Sequence, residues 1–166
     1  MPGRQTISDF LKTCVTRGDV PCVVASVATA GDLLYLEAFG KSAVGSNIDA
    51  TPDTIFRLAS MTKPVTSLPA MMLVDVLLAT NRSLARPFPL GARKDKFGFG
   101  FQIETQPSDP EMRSPGSLSW AGIFNTYFWI DPLKELAAVV MMQLLPGNDE
   151  KAVDLFRGFE RLVYAG

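Results

Sequence analysis

Ser60 and Lys63 stand three residues apart in the passage Phe56-Arg57-Leu58-Ala59-Ser60-Met61-Thr62-Lys63-Pro64-Val65-Thr66-Ser67. Residues three apart share a helix face, so Ser60 Oγ and Lys63 Nζ can meet just above a helix N-terminus. Free backbone N–H groups there favour developing negative charge. A serine hydroxyl is a poor nucleophile until a base takes its proton. The chain has no histidine, which excludes Ser-His-Asp chemistry; lysine can replace histidine as the base if partial desolvation lowers its pKa. The bare pattern is weak evidence, since chance alone yields roughly 0.5 such matches in a chain of this composition. Its plain alternative is a serine N-cap with a solvated lysine one turn on.

A second stretch adds to the first. Ser117-Leu118-Ser119-Trp120-Ala121-Gly122-Ile123-Phe124 reads as a strand with a glycine near its end, and Tyr127-Phe128-Trp129-Ile130 reads as the next strand. Glycine in a strand allows a ligand or another backbone to approach closely. The amide of Ile123, just past Gly122, could pair with the amide of Ser60 as an oxyanion hole, a feature worth several kcal/mol in acyl transfer. Trp120 carries no charge to grip a substrate carboxylate, which favours neutral esters. The alternative for this stretch is an ordinary aromatic-rich core strand.

The run from Phe56 to Ser67 closely resembles the nucleophile motif of the serine β-lactamase superfamily, in its branch of class C β-lactamases and family VIII carboxylesterases, with the penicillin-binding proteins as further relatives. Trp120-Ala121-Gly122 is similar to the Trp-x-Gly that the esterase branch often carries on its active-site edge strand. The resemblance implies an acyl-enzyme on Ser60, with Lys63 as proton acceptor. The amides of Ser60 and Ile123 would form the oxyanion hole, and Trp120, Ala121 and Gly122 would border the substrate. It implies a carboxylesterase acting on small, short-chain esters, with weak activity on β-lactams as a further expectation, and no cofactor.

The departures matter as much. The family's central helical lobe looks reduced here to a loop at residues 80–96. That lobe carries a Tyr-x-Asn or similar motif, whose tyrosine shuttles protons with the lysine. This chain has only Tyr35, Tyr127 and Tyr164, none followed two residues later by asparagine. Tyr127 is expected in the core. Slow turnover follows, and the competing expectation is an impaired remnant that binds or oligomerises, or that acylates without turnover. Loss of the lobe would bare apolar surface around Met71, Met72, Leu77 and Leu78, so a homo-oligomer is expected.

Composition sets outer bounds. The chain has 166 residues, 47% of them hydrophobic, and a formal net charge of −1. One domain spanning 1–166 is expected, long enough to bury a core. That charge balance offers no footprint for nucleic acid or an anionic membrane. No apolar run reaches bilayer length. The first residues lack the apolar centre of a signal peptide, so a cytoplasmic location is expected. Cys14 and Cys22 read as reduced, buried thiols. Without clustered ligands, no metal is expected.

The elements that must position the site follow from periodicity. Ile7, Phe10, Leu11, Cys14 and Val15 predict a helix behind Thr6 or Ser8 and stopped by Gly18. Residues 21–29 and 33–39 predict an antiparallel hairpin around Ala30-Gly31-Asp32. A polar loop at 41–52 leads to a helix from Ser60 to about Ala79, with Pro64 tolerable in its first turn. Phe97 to Glu104 reads as a strand with glycine breaks. Strands at 117–124, 127–130 and 136–144 precede a last helix with Ala152, Leu155, Phe156, Phe159, Leu162 and Val163 on one face. The order predicts an α+β fold. An antiparallel sheet of about five to six strands is flanked by N- and C-terminal helices and a helix bearing Ser60 and Lys63; this arrangement resembles a reduced β-lactamase/transpeptidase-like α/β lobe.

Overall fold

Ile7, Leu11 and Cys14 are all but fully buried along one face of helix α1 (Arg4–Thr16), as their spacing demands. The computed structural model describes residues 3–71, 86–87, 96–97, 100–105 and 112–165, with backbone alone at 68–71, 86–87 and 96–97. Helix α1 begins ahead of the expected caps, with Gly3 in the capping position. Ser8 is not a cap: its Oγ donates to Arg4 O at 3.0 Å inside the helix and lies 3.3 Å from Tyr35 Oη. Gly18, at φ 74°, ends the helix with its N–H on Val15 O.

Strands β1 (Cys22–Thr29) and β2 (Leu33–Gly40) form the expected hairpin, antiparallel with an irregularity between Val27 and Ala28. Ser60 then lies in a 3₁₀ turn, Ala59–Met61, which feeds helix α2 (Thr62–Met71). Pro64 falls in the first turn of α2, where its missing N–H has no intrahelical acceptor to serve. The expected continuation to Ala79 lies outside the described residues, as do the side chains of Met71, Met72, Leu77 and Leu78. Of the stretch 80–96, Arg86–Pro87 forms β3 and Lys96 opens β4 (Lys96–Phe97); the rest is outside the described residues.

The stretch 97–104 departs from the single strand expected there. Strand β4 pairs antiparallel with β5 (Gln102–Ile103), so the chain reverses between them. Gly100, at φ 86°, lies in that reversal, and a Cβ there would sit 2.8 Å from Ser67 Oγ on α2. Gly100 marks a turn against helix α2. Strands β6 (Leu118–Gly122), β7 (Thr126–Asp131) and β8 (Leu136–Met141) follow, and helix α3 (Glu150–Tyr164) closes the chain. Asp149 caps α3 by accepting from the N–H groups of Lys151 and Ala152, each at 3.1 Å.

All pairings are antiparallel, in the order β2-β1-β8-β7-β6-β5-β4-β3. Among the described residues, three of the eight strands show two residues each, and five longer strands carry the fold. Helices α1 and α3 pack together on one face of the sheet, the α+β layering the element order predicts. Between them and the sheet lie Trp129, Tyr35 and Phe159, all buried, with Trp129 edge-on to Phe159 at 5.8 Å. Cys14, in this core, and Cys22, at the start of β1, are buried free thiols, and burial pushes both above the usual range.

Candidate active site

The period of two in β6 and β7 decides which side chains face which layer. Tyr127 and Trp129 turn inward, Tyr127 stacking on Phe156 of α3 at 4.4 Å. Ala121 pairs with Tyr127 and packs on the same core, whereas Trp120 pairs with Phe128 on the opposite face. Gly122 ends the strand where it meets the 3₁₀ turn that holds Ser60. A Cβ on Gly122 would overlap both Leu58 O and Thr126 Oγ1, so only glycine lets β6 lie against the backbone two residues before Ser60.

That docking places Ser60 beside β6. Lys63 Nζ donates to Ser60 Oγ at 2.8 Å, the contact expected from their spacing. The residue before Ser60, Ala59, holds φ 48°, a left-handed backbone that costs a non-glycine residue of order 1 kcal/mol. The Leu58–Gly122 contact and the bond from Met61 N–H to Leu58 O, 3.1 Å, hold this turn. Ser60, Trp120, Ala121, Gly122 and Ile123 line one cavity of about 1110 Å³. Trp120 and Ser60 are half-buried, and Ile123 is exposed at the cavity rim. All six residues singled out from the sequence therefore belong to one neighbourhood, with Ala121 contributing chiefly to the core.

Three residues escaped the sequence reading. Gln143, just past β8, accepts from Arg57 N–H at 2.8 Å. Asn125, fully buried at φ 56°, ties the β6–β7 turn to the chain after β8. The tolerance of asparagine for left-handed backbone was the one local signal for it. Thr126 is buried against Gly122. Gln143 and Thr126 carried no local signal.

The tyrosines bear on proton transfer. Burial pushes Tyr35 and Tyr127 up to about 12, and Tyr127 Oη donates to Asn125 Oδ1 at 2.9 Å. Tyr164 is raised by burial and by the Asp131 carboxylate, to which its hydroxyl donates at 3.1 Å. Each of the chain's three tyrosines is thus protonated at neutral pH and committed to packing. Among the described residues no group of three or more carboxylates and thiols could hold a metal ion. No described helix is long and apolar enough to cross a membrane.

The fold has known counterparts. The unliganded simvastatin synthase LovD from Aspergillus terreus superposes with a TM-score of 0.83 over 99% of this chain and 98% of that one, at 14% identity. EstCE1, described as a hydrolase with promiscuous acyltransferase activity, gives 0.75 over 96% of this chain and 98% of its own, at 10% identity. In sequence, 80 residues are 39% identical to a monacolin J acid methylbutanoyltransferase of Aspergillus terreus, covering 48% of this chain and 19% of that protein. The match thus spans about a fifth of that relative's length. The family model described as Beta-lactamase aligns to residues 5–78 and 75–162, taking in the Ser60–Lys63 turn and the Trp120–Gly122 strand together. With both site passages and most of the chain inside that match, the chain belongs to the Beta-lactamase family.

Proposed function

We propose that this chain is a serine acyl-transferring enzyme in which Ser60 carries the acyl group. The observation that carries this reading is the 2.8 Å contact between Lys63 Nζ and Ser60 Oγ beside the end of β6. Ser60 Oγ attacks the carbonyl carbon of an ester and its proton passes to Lys63 Nζ. The amides of Ser60 and Ile123 receive the negative charge on the carbonyl oxygen. Collapse expels the alkoxide, which takes the proton from Lys63 and leaves as the alcohol. Water or a second alcohol then attacks the acyl-serine, passing its proton through Lys63 to Ser60 Oγ. The half-buried Trp120 wall suits a neutral, short acyl chain, and the methylbutanoyl group in the name of the sequence relative is of that size. Weak β-lactam hydrolysis belongs to the same proposal.

The commitment of all three tyrosines to packing favours a second reading, acylation with slow or no release. General acid–base assistance contributes about 10²–10⁴-fold, and without a tyrosine partner deacylation loses part of it. A homodimer or larger homo-oligomer is proposed with it, and a monomer by light scattering at micromolar concentration would contradict that part.

The test is intact-protein mass spectrometry after incubation with a fluorophosphonate, alongside Ser60→Ala and Lys63→Ala. A single adduct is expected, absent in Ser60→Ala and slowed about 10²-fold or more in Lys63→Ala. A folded wild type that takes no adduct refutes the proposal. A p-nitrophenyl butyrate time course separates the two readings, through steady release against a single stoichiometric burst.

A further inference from the structure

Two amide side chains outside the catalytic set converge on one short segment, residues 143–147. Gln143 Oε1 accepts from Arg57 N–H at 2.8 Å, joining residues 86 apart in sequence. Arg57 lies three residues before Ser60, in a stretch that is neither helix nor strand. On the other side, Asn125 Nδ2 donates to Leu144 O at 2.9 Å and to Pro146 O at 2.8 Å, while its Oδ1 accepts from Tyr127 Oη. Leu144 N–H reaches Phe124 O at 3.3 Å. Gly147 lies against Ile123, where an added Cβ would come within 3.0 Å of Ile123 Cγ1 and O. The approach to the nucleophile and the turn carrying Ile123 therefore hang from the same five residues.

Gln143 differs from Asn125 in one respect. Asn125 uses both ends of its amide, whereas Gln143 Nε2 is buried without a hydrogen-bond partner among the described residues. A buried, unpaired NH₂ lowers stability, and methionine at this position would fill similar volume without that penalty. What the glutamine supplies is an acceptor for the backbone that leads to Ser60. Residues that work against local stability concentrate at functional sites.

We infer that Gln143 is a positioning residue for acyl transfer, its side-chain carbonyl suspending the Arg57–Ser60 approach from the segment that also carries the Ile123 turn. The inference rests on the acyl-transfer reading above. Segment 143–147 acts as a brace that keeps the attacking oxygen and the oxyanion donors at one spacing. Misplacement by about 1 Å is enough to cost about 10²-fold in a reaction of this kind.

The experiment compares the full chain with Gln143→Met and Gln143→Glu, the latter keeping an acceptor oxygen. Three readouts are taken: fluorophosphonate labelling rate at Ser60, thermal midpoint, and hydrogen exchange at the Arg57 amide by NMR. Gln143→Met is expected to label about tenfold slower or worse, with an unchanged or higher midpoint and faster Arg57 exchange. Gln143→Glu is expected to recover Arg57 protection and most of the labelling rate. Labelling of Gln143→Met within about twofold of wild type overturns the positioning role. So does a rate loss that tracks a fallen midpoint and is not rescued by glutamate. If wild type itself takes no adduct, the acyl-transfer reading has failed. Arg57 exchange then still reads the tether: acceleration in Gln143→Met supports it, and no change overturns it.

Discussion

Replacing Gly122 by alanine probes the contact on which the whole site depends. The new Cβ would lie roughly 1 Å inside contact distance of Leu58 O and Thr126 Oγ1. Neither can yield cheaply: Leu58 O is backbone and already accepts from Met61 N–H, and Thr126 is fully buried. Relief must come from separating β6 from the nucleophile turn. Overpacking of this kind costs about 1–3 kcal/mol, and each kcal/mol lowers the midpoint of a chain this long by about 2–4 °C. The effect on chemistry is larger. A shift of Ser60 relative to Ile123 by about 1 Å should slow acylation about 10²-fold. The assay is the second-order rate of fluorophosphonate labelling, read with a thermal melt. Gly31→Ala is the control, because nothing lies within 4 Å of a Cβ at that turn; it should leave both readouts unchanged. If Gly122→Ala labels as fast as wild type, close docking of β6 on the Leu58 carbonyl is not what organises the site.

Asp131 is fully buried. Burial alone would raise its pKa, but the N–H groups of Ser114 and Lys134 and the Tyr164 hydroxyl outweigh that and hold it below the usual carboxylate value. A lowered folded pKa gives stability that is present above the unfolded value of about 3.9 and is lost as pH falls through the folded value. Urea unfolding as a function of pH should show that acid-limb loss in wild type and a flatter limb in Asp131→Asn, which is also less stable at pH 7. At the start of α3, Asp149→Ala should lower unfolding free energy by about 1 kcal/mol through loss of the cap on Lys151 and Ala152. Chemical denaturation reads that change, and labelling of Ser60 serves to check that the site is intact.

Much of the layering was legible because it rests on local rules. Ile7, Leu11 and Cys14 at helical spacing placed α1. Ala30-Gly31-Asp32 placed the hairpin turn. The apolar face from Ala152 to Val163 placed α3. Errors arose where one local pattern fits two geometries. Phe97 to Glu104 alternates like a strand, yet Gly100 takes a positive φ and turns the chain back so that β4 pairs with β5. Thr6 and Ser8 look like caps, but the buried Tyr35 hydroxyl beside Ser8 and the acceptor Arg4 O draw that side chain into the helix.

The sequence by itself determined the Ser60–Lys63 contact. Three residues on a helical turn bring Ser60 and Lys63 within reach whatever surrounds them, and a chain without histidine leaves no rival base of the usual kind. It also marked Gly122 as a place where something must come close, because a missing side chain is a local fact. Only the tertiary structure decided what comes close, which is Leu58 O, and that Ala121 serves the core while Trp120 takes the other face. It revealed what Gln143 and Asn125 do, accepting from the Arg57 N–H and donating to the Leu144 and Pro146 carbonyls across distant parts of the chain. The reason is physical: spacing along one helix is set by backbone geometry, whereas a polar side chain's partner across the sheet depends on strand order and register, which no local pattern encodes.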